Sequence, residues 1–392
     1  MTKIYLIRHG EAEGNLYRRM QGQYDGALTE LGRKQVEALG KRFRDIPLDG
    51  VYSSDLHRAM YTGSALCLPK KLPLYTDTRL REVCVGIWED RPFGEAWVTH
   101  PEEMEAFAKD PDHWVLEGAD NYRVLAQRGL SALKDIAERH PEGAVAVCAH
   151  SYIIGAILCK LFYGFDHYED VGRSDNTAVT LLTVEKDEFH LVFKHDSSHL
   201  DGADLRRSVV KATSNTPSDT NPNDLHFVPL GGEIETYIRW RKDAWQLIYG
   251  DLTGFDGSGF WLDAQNTMGP DPNAMVVGYM GRTPVGLIQL SPHRDKHKGV
   301  GYIPFIYLKP EFRHKGLGIQ FIGHAVSFYR ALGRKKLQLS VAPTNENAIA
   351  FYKKFGFSPS GKNKGRFGSL ILMEMDFTLP PLPRGLKVIS LG

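Results

Sequence analysis

Residues 1–15 read MTKIYLIRHGEAEGN. The run KIYLI is short, continuously apolar and rich in branched and aromatic side chains. It stops at a charged pair, the pattern of a strand buried on both faces. Arg8, His9 and Gly10 therefore stand directly after a strand end, and ligands of α/β sheets usually bind outside the carboxyl ends of strands. AVAVCA at 144–149 repeats the pattern, with His150 following it as His9 follows KIYLI. Ser53 and Ser54 follow the strand-like VY. Three strand ends carrying polar groups are expected to converge on one crevice.

Working outward, LTELGRKQVEALGKRFRD (28–45) and NYRVLAQRGLSALKDIAERH (121–140) carry apolar residues at helical spacing. AVTLLTVEKD and EFHLVFKH (178–195) read as a hairpin. Strands alternating with helices to about residue 205 indicate an α/β layered domain. KATSNTPSDTNPND (211–224) has no large apolar residue and two prolines, so it reads as linker. Patterning resumes at HFVPL (226–230) and runs to MEMDF (373–377); the closing TLPPLPRGLKVISLG (378–392) reads as an extended, packed strap. The expected order is a domain over 1–205, a linker over 206–227, a second domain over 228–377 and a proline-rich tail over 378–392.

A chain of 392 residues exceeds the usual size of one hydrophobic core. Its 48 Lys plus Arg against 47 Asp plus Glu leave a formal net charge of +1, which argues against a dedicated nucleic-acid binder. No apolar run approaches the length of a membrane span, and the five-residue run at the start is too short for a signal-peptide core. The four cysteines form no CxxC pair, and a reduced, cytoplasmic setting is expected.

A histidine whose ring nitrogen is neutral and aimed at its target can be a covalent nucleophile. A phosphoryl group also needs positive charge around its oxygens, which arginine supplies bidentately. RHGEAEGN (8–15), QGQYDGALTELG (21–32), SSDLHRAMYT (53–62), LREVCVGIWED (80–90) and CAHS (148–151) occur in that order. This ordered set resembles the histidine phosphatase (phosphoglycerate mutase-like) superfamily over roughly residues 1–205. The resemblance implies an α/β/α layered domain in which His9 becomes phosphohistidine. It further implies that Arg8, Arg58 and a protonated His150 surround the phosphoryl oxygens, with Asn15, Gln21 and Gly22 as further phosphate contacts. Glu82 would protonate the leaving oxygen and then activate water, and no metal is required. The sequence departs from the pattern at Ala12, where many relatives carry a hydroxyl, and at Ser151, where many carry glycine. The short segment between Glu82 and His150 favours a phosphatase over a mutase.

In the second half, VGYIPFIYLKPEFRHKGLGIQFIGHAVSFYRALG (300–333) combines a strand, a turn with two glycines and an apolar-periodic helix. Glycines let the backbone approach closely, and free amides at a helix start bind pyrophosphate. Arg313, Gly316 and Gly318 fit R-x-x-G-x-G. KLQLSV (336–341) is a strand, and in APTNENAIAFYKKFGF (342–357) Asn345, Ala348, Tyr352 and Gly356-Phe357 fit N-x-x-A-x-x-x-Y-x-x-x-G-F. These blocks resemble the GNAT acetyltransferases, with a mixed α+β fold. The resemblance implies acetyl-CoA as cosubstrate, held by Leu308, Arg313, His314, Lys315, Gly316, Leu317, Gly318 and Asn345. Tyr352 would donate a proton to the departing thiolate. Asn345 reads equally as a helix cap. The stretch 254–274 reads as a surface loop, with Asp256 and Asp263 as candidate bases on the acceptor side.

The leading expectation is a bifunctional enzyme acting on a small phosphomonoester and on an amine acceptor, with no nucleic-acid or membrane partner and self-association left open. Three alternatives stand beside it: a phosphatase carrying a non-catalytic coenzyme-binding module, a mutase, and a phosphate-binding scaffold. Trp88, Trp97 and Trp114 read as core, or else as walls of a pocket for an organic leaving group.

Overall fold

The computed structural model describes residues 1–202, 205–206, 223–231, 234–268, 271–365 and 368–391. The expected linker over 211–224 lies outside the described residues except for Asn223 and Asp224. The chain forms two compact units. Met1–Arg91, Thr99–Asn221 and Leu379–Gly392 make up the first, and Pro92–Val98 with Pro222–Thr378 the second. Two short segments thus group away from their sequence neighbours.

The strands of the first unit are β1 (Thr2–Arg8), β2 (Gly50–Ser53), β3 (Leu74–Thr76), β4 (Ala144–Ala149), β5 (Val179–Glu185) and β6 (Glu188–Asp196). Those of the second are β7 (His226–Pro229), β8 (Met275–Met280), β9 (Thr283–Ser291), β10 (Val300–Leu308), β11 (Lys336–Val341), β12 (Ser358–Gly365) and β13 (Gly368–Asp376). A last strand, β14 (Val388–Ser390), belongs to the first unit.

The first sheet runs β14-β3-β2-β4-β1-β5-β6. β1 pairs parallel to β4 on one side and antiparallel to β5 on the other. The parallel centre is the apolar-run part of the sequence, as burial on both faces demands. Lys186 and Asp187, both at positive φ, turn β5 into β6, as a two-residue hairpin requires. Ile7, Val51, Leu66, Leu74, Ala146, Cys148 and Val179 form one core cluster. Helices α1 (Glu13–Tyr17), α2 (Glu30–Arg42), α3 (His57–Lys70), α4 (Phe93–Thr99), α5 (Pro101–Lys109), α6 (Tyr122–Arg139) and α7 (Ser151–Leu158) follow in chain order, with most of α4 in the second unit.

The extended strap has a defined place. β14 pairs parallel with β3, Val388 opposite Leu74 and Ser390 opposite Thr76. The Leu74 amide donates to the Lys387 carbonyl at 2.8 Å and the Leu391 amide to the Thr76 carbonyl at 2.8 Å. Leu386 packs against the core cluster.

The second sheet runs β12-β13-β11-β10-β9-β8-β7, and only β10 and β11 are parallel neighbours. Helices α8 (Ile234–Tyr249) and α9 (Gly257–Met268) cover one face, where Tyr237, Trp240, Ala264, Met275, Leu287, Phe305 and Tyr307 form a core. Helix α10 (Gly318–Ala331) follows β10, and its Tyr329 ring crowds Gly301 so closely that a Cβ there would lie 2.3 Å away. Helix α11 (Glu346–Lys354) follows β11. The stretch read as a loop over 254–274 is mostly the helix α9, because Phe260, Trp261 and Ala264 share an apolar face that outweighs its glycines. Trp88 and Trp114 are 2% and 1% exposed and stack with centroids 5.8 Å apart, so these two are core.

Candidate functional site

In the first unit β1 ends at Arg8 and β4 at Ala149, side by side, so His9 and His150 leave adjacent strands. Their rings lie 5.1 Å apart between centroids. The Nδ1–H of His9 donates to the Gly10 carbonyl at 2.7 Å, because a carbonyl can only accept. In the neutral ring Nε2 is therefore the free lone pair. Burial, then the charges of Arg58 and Arg8, hold the His9 pKa well below the ordinary histidine value. Gly10 has no room for a side chain: a Cβ would lie 2.9 Å from the Gly32 carbonyl oxygen. The Asn176 amide donates to the His9 carbonyl at 3.0 Å.

Arg58, on the first turn of α3, is 1% exposed. Its Nη1 and Nη2 donate to the carbonyls of Tyr24 at 2.8 Å and Gly22 at 2.6 Å, and Nε has no partner among the described residues. Gly22 thus holds the arginine through its carbonyl, at φ +48. A Cβ there would strike the Glu89 carboxylate at 2.2 Å. His150 is fully buried and neither ring nitrogen has a partner among the described residues. Burial, then Arg58 and His9, push its pKa well below the ordinary value. That direction favours the neutral ring when no anion is present. Arg8 donates to the Ser174 carbonyl.

Glu82 is half-buried. Its carboxylate accepts from the amides of Tyr152 at 3.1 Å and Ile153 at 3.0 Å, in the first turn of α7, and from Val83 at 3.1 Å. Burial raises its pKa, and the amides and Arg58 only partly offset that. Asn15 accepts from the Ala12 amide at 3.0 Å. Gln21 packs on Gly14, where a Cβ would lie 2.1 Å from its Cγ. Ala12, standing in place of a hydroxyl, is buried with Leu28 and Val36.

Several residues with no assigned role hold this arrangement. Glu89 accepts from the amides of Gln23, Tyr24 and Val85 at 3.0, 2.7 and 3.1 Å, tying the 21–25 loop to the Glu82 segment. Its block, LREVCVGIWED, was visible in sequence, but nothing there indicated the clamp. Arg128, on α6, donates to the carbonyls of Arg79 at 2.7 Å, Arg81 at 2.6 Å and Glu82 at 2.9 Å. No local signal marks it. Thr62 accepts from the Gly10 amide at 3.0 Å and donates to the Arg58 carbonyl at 2.7 Å.

In the second unit β10 and β11 pair only from Val300 to Ile303 against Lys336 to Leu339, although β10 continues to Leu308. Pro304 has no N–H to donate, and the β9 pairing shifts register between Tyr302 and Phe305. The two strands therefore fork. After β10, Leu308 accepts from Arg313 Nε at 2.9 Å, which folds that side chain back onto the strand. His314 and Gly316 both have positive φ (61 and 77). His314, Lys315 and Gly316 are exposed and Leu317 is buried. Gly318 opens α10, whose first amides have no partner within the helix. A Cβ on Gly318 would lie 3.2 Å from the Phe351 ring, the neighbour of Tyr352.

Tyr352 is 6% exposed, packs against Phe351 and Phe357, and its hydroxyl makes no hydrogen bond among the described residues. Burial raises its pKa well above the ordinary phenol value. Asn345 accepts from the Ala348 amide at 3.2 Å, so its side-chain oxygen caps α11. Asp256 likewise accepts from the Gly259 amide at 2.9 Å, and Asp263 is exposed. Among the described residues no group of three or more His, Cys, Asp or Glu side chains is placed to hold a metal ion. No helix among them is long and apolar enough to cross a membrane.

Residues 4–197 match the family model of the histidine phosphatase superfamily (branch 1), and residues 234–357 that of the acetyltransferase (GNAT) family. The chain is 29% identical over 161 residues to phosphoserine phosphatase 1 of Hydrogenobacter thermophilus, covering 41% of this chain and 76% of that protein. It is 29% identical over 186 residues to a probable phosphoglycerate mutase, GpmB, of Yersinia pestis, covering 47% of this chain and 86% of that protein. The solved structure of Bacillus stearothermophilus YhfR is 31% identical with a TM-score of 0.50, and the match covers 51% of this chain and 100% of that one. The adjacent strand ends that carry His9 and His150, the sequence blocks built on them and these likenesses agree: the chain belongs to the histidine phosphatase superfamily through residues 4–197, and residues 234–357 match the model of the acetyltransferase (GNAT) family.

Proposed function

We propose that the chain is a bifunctional enzyme, hydrolysing phosphomonoesters in the first unit and transferring acetyl groups to an amine in the second. The observation that carries the first activity is the tautomer of His9, fixed by the Gly10 carbonyl at 2.7 Å so that Nε2 is the nucleophile. In the first step the His9 Nε2–phosphorus bond forms as the bond from phosphorus to the leaving oxygen breaks. Glu82 gives that oxygen its proton, a task suited to a carboxyl held above its ordinary pKa by burial. In the second step Glu82 takes a proton from water, the water oxygen bonds to phosphorus and the nitrogen–phosphorus bond breaks. Free phosphate and neutral His9 result. Arg8, Arg58 and His150 ring the phosphoryl oxygens, and the arriving dianion raises the His150 pKa, restoring the charge that burial suppresses. Asn15, Gln21 and Gly22 shape the same rim.

Named relatives include both a phosphoserine phosphatase and a probable phosphoglycerate mutase. The short segment between Glu82 and His150 favours hydrolysis. A phosphomonoester screen on the intact protein tests the choice: phosphate release is expected, and isomerised ester without phosphate release would overturn it.

The fork between β10 and β11, the turn at 313–318 and the unpartnered Tyr352 hydroxyl support the second activity. Acetyl-CoA, when bound, supplies a thioester-linked acyl group for the amine to take. The first amides of α10 and the backbone around His314, Lys315, Gly316 and Leu317 would hold its pyrophosphate, with Leu308 and Arg313 alongside. Tyr352 keeps its proton at neutral pH and can give it to a thiolate at its hydroxyl. Turnover with a panel of amines tests this reading, and tight coenzyme binding without turnover would favour a binding module.

A further inference from the structure

Arg241 on α8 forms no ion pair among the described residues. Its Nε donates to the Tyr237 hydroxyl at 2.8 Å and its Nη2 to Gln289 Oε1 at 2.9 Å, both on fully buried side chains. The guanidinium lies 3.8 Å from the Phe305 ring centroid and 4.8 Å from that of Phe260. Nη1 makes no hydrogen bond among the described residues. The acid that acts on it electrostatically is Asp263, which is exposed and forms no ion pair with it. Burial lowers the Arg241 pKa, as expected of a charge whose partners are all neutral. Leaving a charge so enclosed without a counter-ion is costly, and a ligand anion would offset that cost.

Its position gives the anion a role. Phe305 is the residue at which β10 resumes pairing with β9, just past Ile303, the last residue paired with β11. The guanidinium therefore stacks on a residue just past the point where β10 parts from β11. That fork is bounded by the turn leading into α10 at the end of β10 and by the helix of Tyr352 after β11. A single guanidinium with one uncommitted Nη group suits a monoanionic carboxylate better than a phosphate dianion, which would call for a second cation.

We infer that Arg241 determines acceptor specificity in the second unit, binding the carboxylate of an amine acceptor at the β10–β11 fork, so that the acceptor class is amino acids rather than simple amines. The inference rests on the acetyltransferase reading. Tyr237 and Gln289 act as positioning residues that hold the guanidinium over Phe305.

The test uses the intact protein at saturating acetyl-CoA and matched amine pairs, each α-amino acid beside its amide and its decarboxylated amine. The wild type should favour the carboxylate-bearing member by tenfold or more in kcat/KM. Arg241→Gln should bring that ratio to within about threefold, with coenzyme Kd unchanged, and Arg241→Lys should retain part of the preference. Equal turnover of paired substrates by the wild type overturns the inference without any variant, so a poorly folding Arg241→Gln cannot shield it. Preference for an aminoalkyl phosphate over every amino acid overturns the carboxylate assignment. No turnover with any amine overturns the acetyltransferase reading, and this inference with it.

Discussion

The Glu82 carboxylate accepts from the Ile153 amide at 3.0 Å, in the first turn of the helix whose preceding residue is His150. Glu82 and His150 are therefore positioned by one turn of backbone. Glu82→Gln is expected to lower kcat by about 10²–10⁴-fold while leaving the inhibition constant of vanadate within a few-fold. Unchanged kcat would remove Glu82 from proton transfer.

The pH dependence follows from two opposite shifts. His9 attacks only when unprotonated, and its lowered pKa keeps it so above a limb that lies below the ordinary histidine value. Glu82 donates only when protonated, so activity in the first step falls as pH rises through its raised pKa. A bell-shaped kcat/KM profile is expected, rising through the lowered His9 pKa and falling through the raised Glu82 pKa, and Glu82→Gln should flatten its alkaline limb. A wild-type plateau extending to strongly alkaline pH would contradict this assignment.

His9→Ala should reduce phosphate release by about 10³-fold or more, since the nucleophile is lost. A brief exposure to labelled substrate should leave acid-labile label on the wild type and none on the variant. Label that persists in the variant would place the nucleophile elsewhere.

Arg128 binds three consecutive-turn carbonyls, of Arg79, Arg81 and Glu82. Arg128→Met should cost about 1–3 kcal/mol of stability, because those carbonyls lose a charged donor. It should also lower kcat more than it raises KM, as Glu82 loses its fixed place. A variant equal to wild type in both would make the contact incidental.

The Tyr352 hydroxyl has no partner among the described residues. Tyr352→Phe should therefore leave Tm and coenzyme Kd nearly unchanged, while acetyl transfer falls by about tenfold or more. Equal losses in binding and turnover would mark the tyrosine as structural.

Much of this was legible because the decisive features are local. KIYLI and AVAVCA announce buried strands by apolar run alone, and His9 and His150 sit at their ends. The R-x-x-G-x-G turn and the helix carrying Tyr352 are likewise read from consecutive residues. What stayed hidden depends on distant pairing. Arg128 looks like any solvated helix cation until α6 is placed beside the Glu82 segment. Arg241 looks the same until Gln289 and Phe305 arrive from other strands. The helix at 257–268 was obscured by its glycines, whose cost is outweighed by the packing of Phe260, Trp261 and Ala264.

The strand at 388–390 also has a consequence for the order of synthesis. Its partner, β3, is made early, yet the whole of 226–376 must leave the ribosome before Val388 can meet Leu74. Until then β3 presents an open edge, the kind of surface on which chains join one another. The first sheet is thus finished only by residues translated after the second unit. Completion of the first unit therefore waits on synthesis of the second.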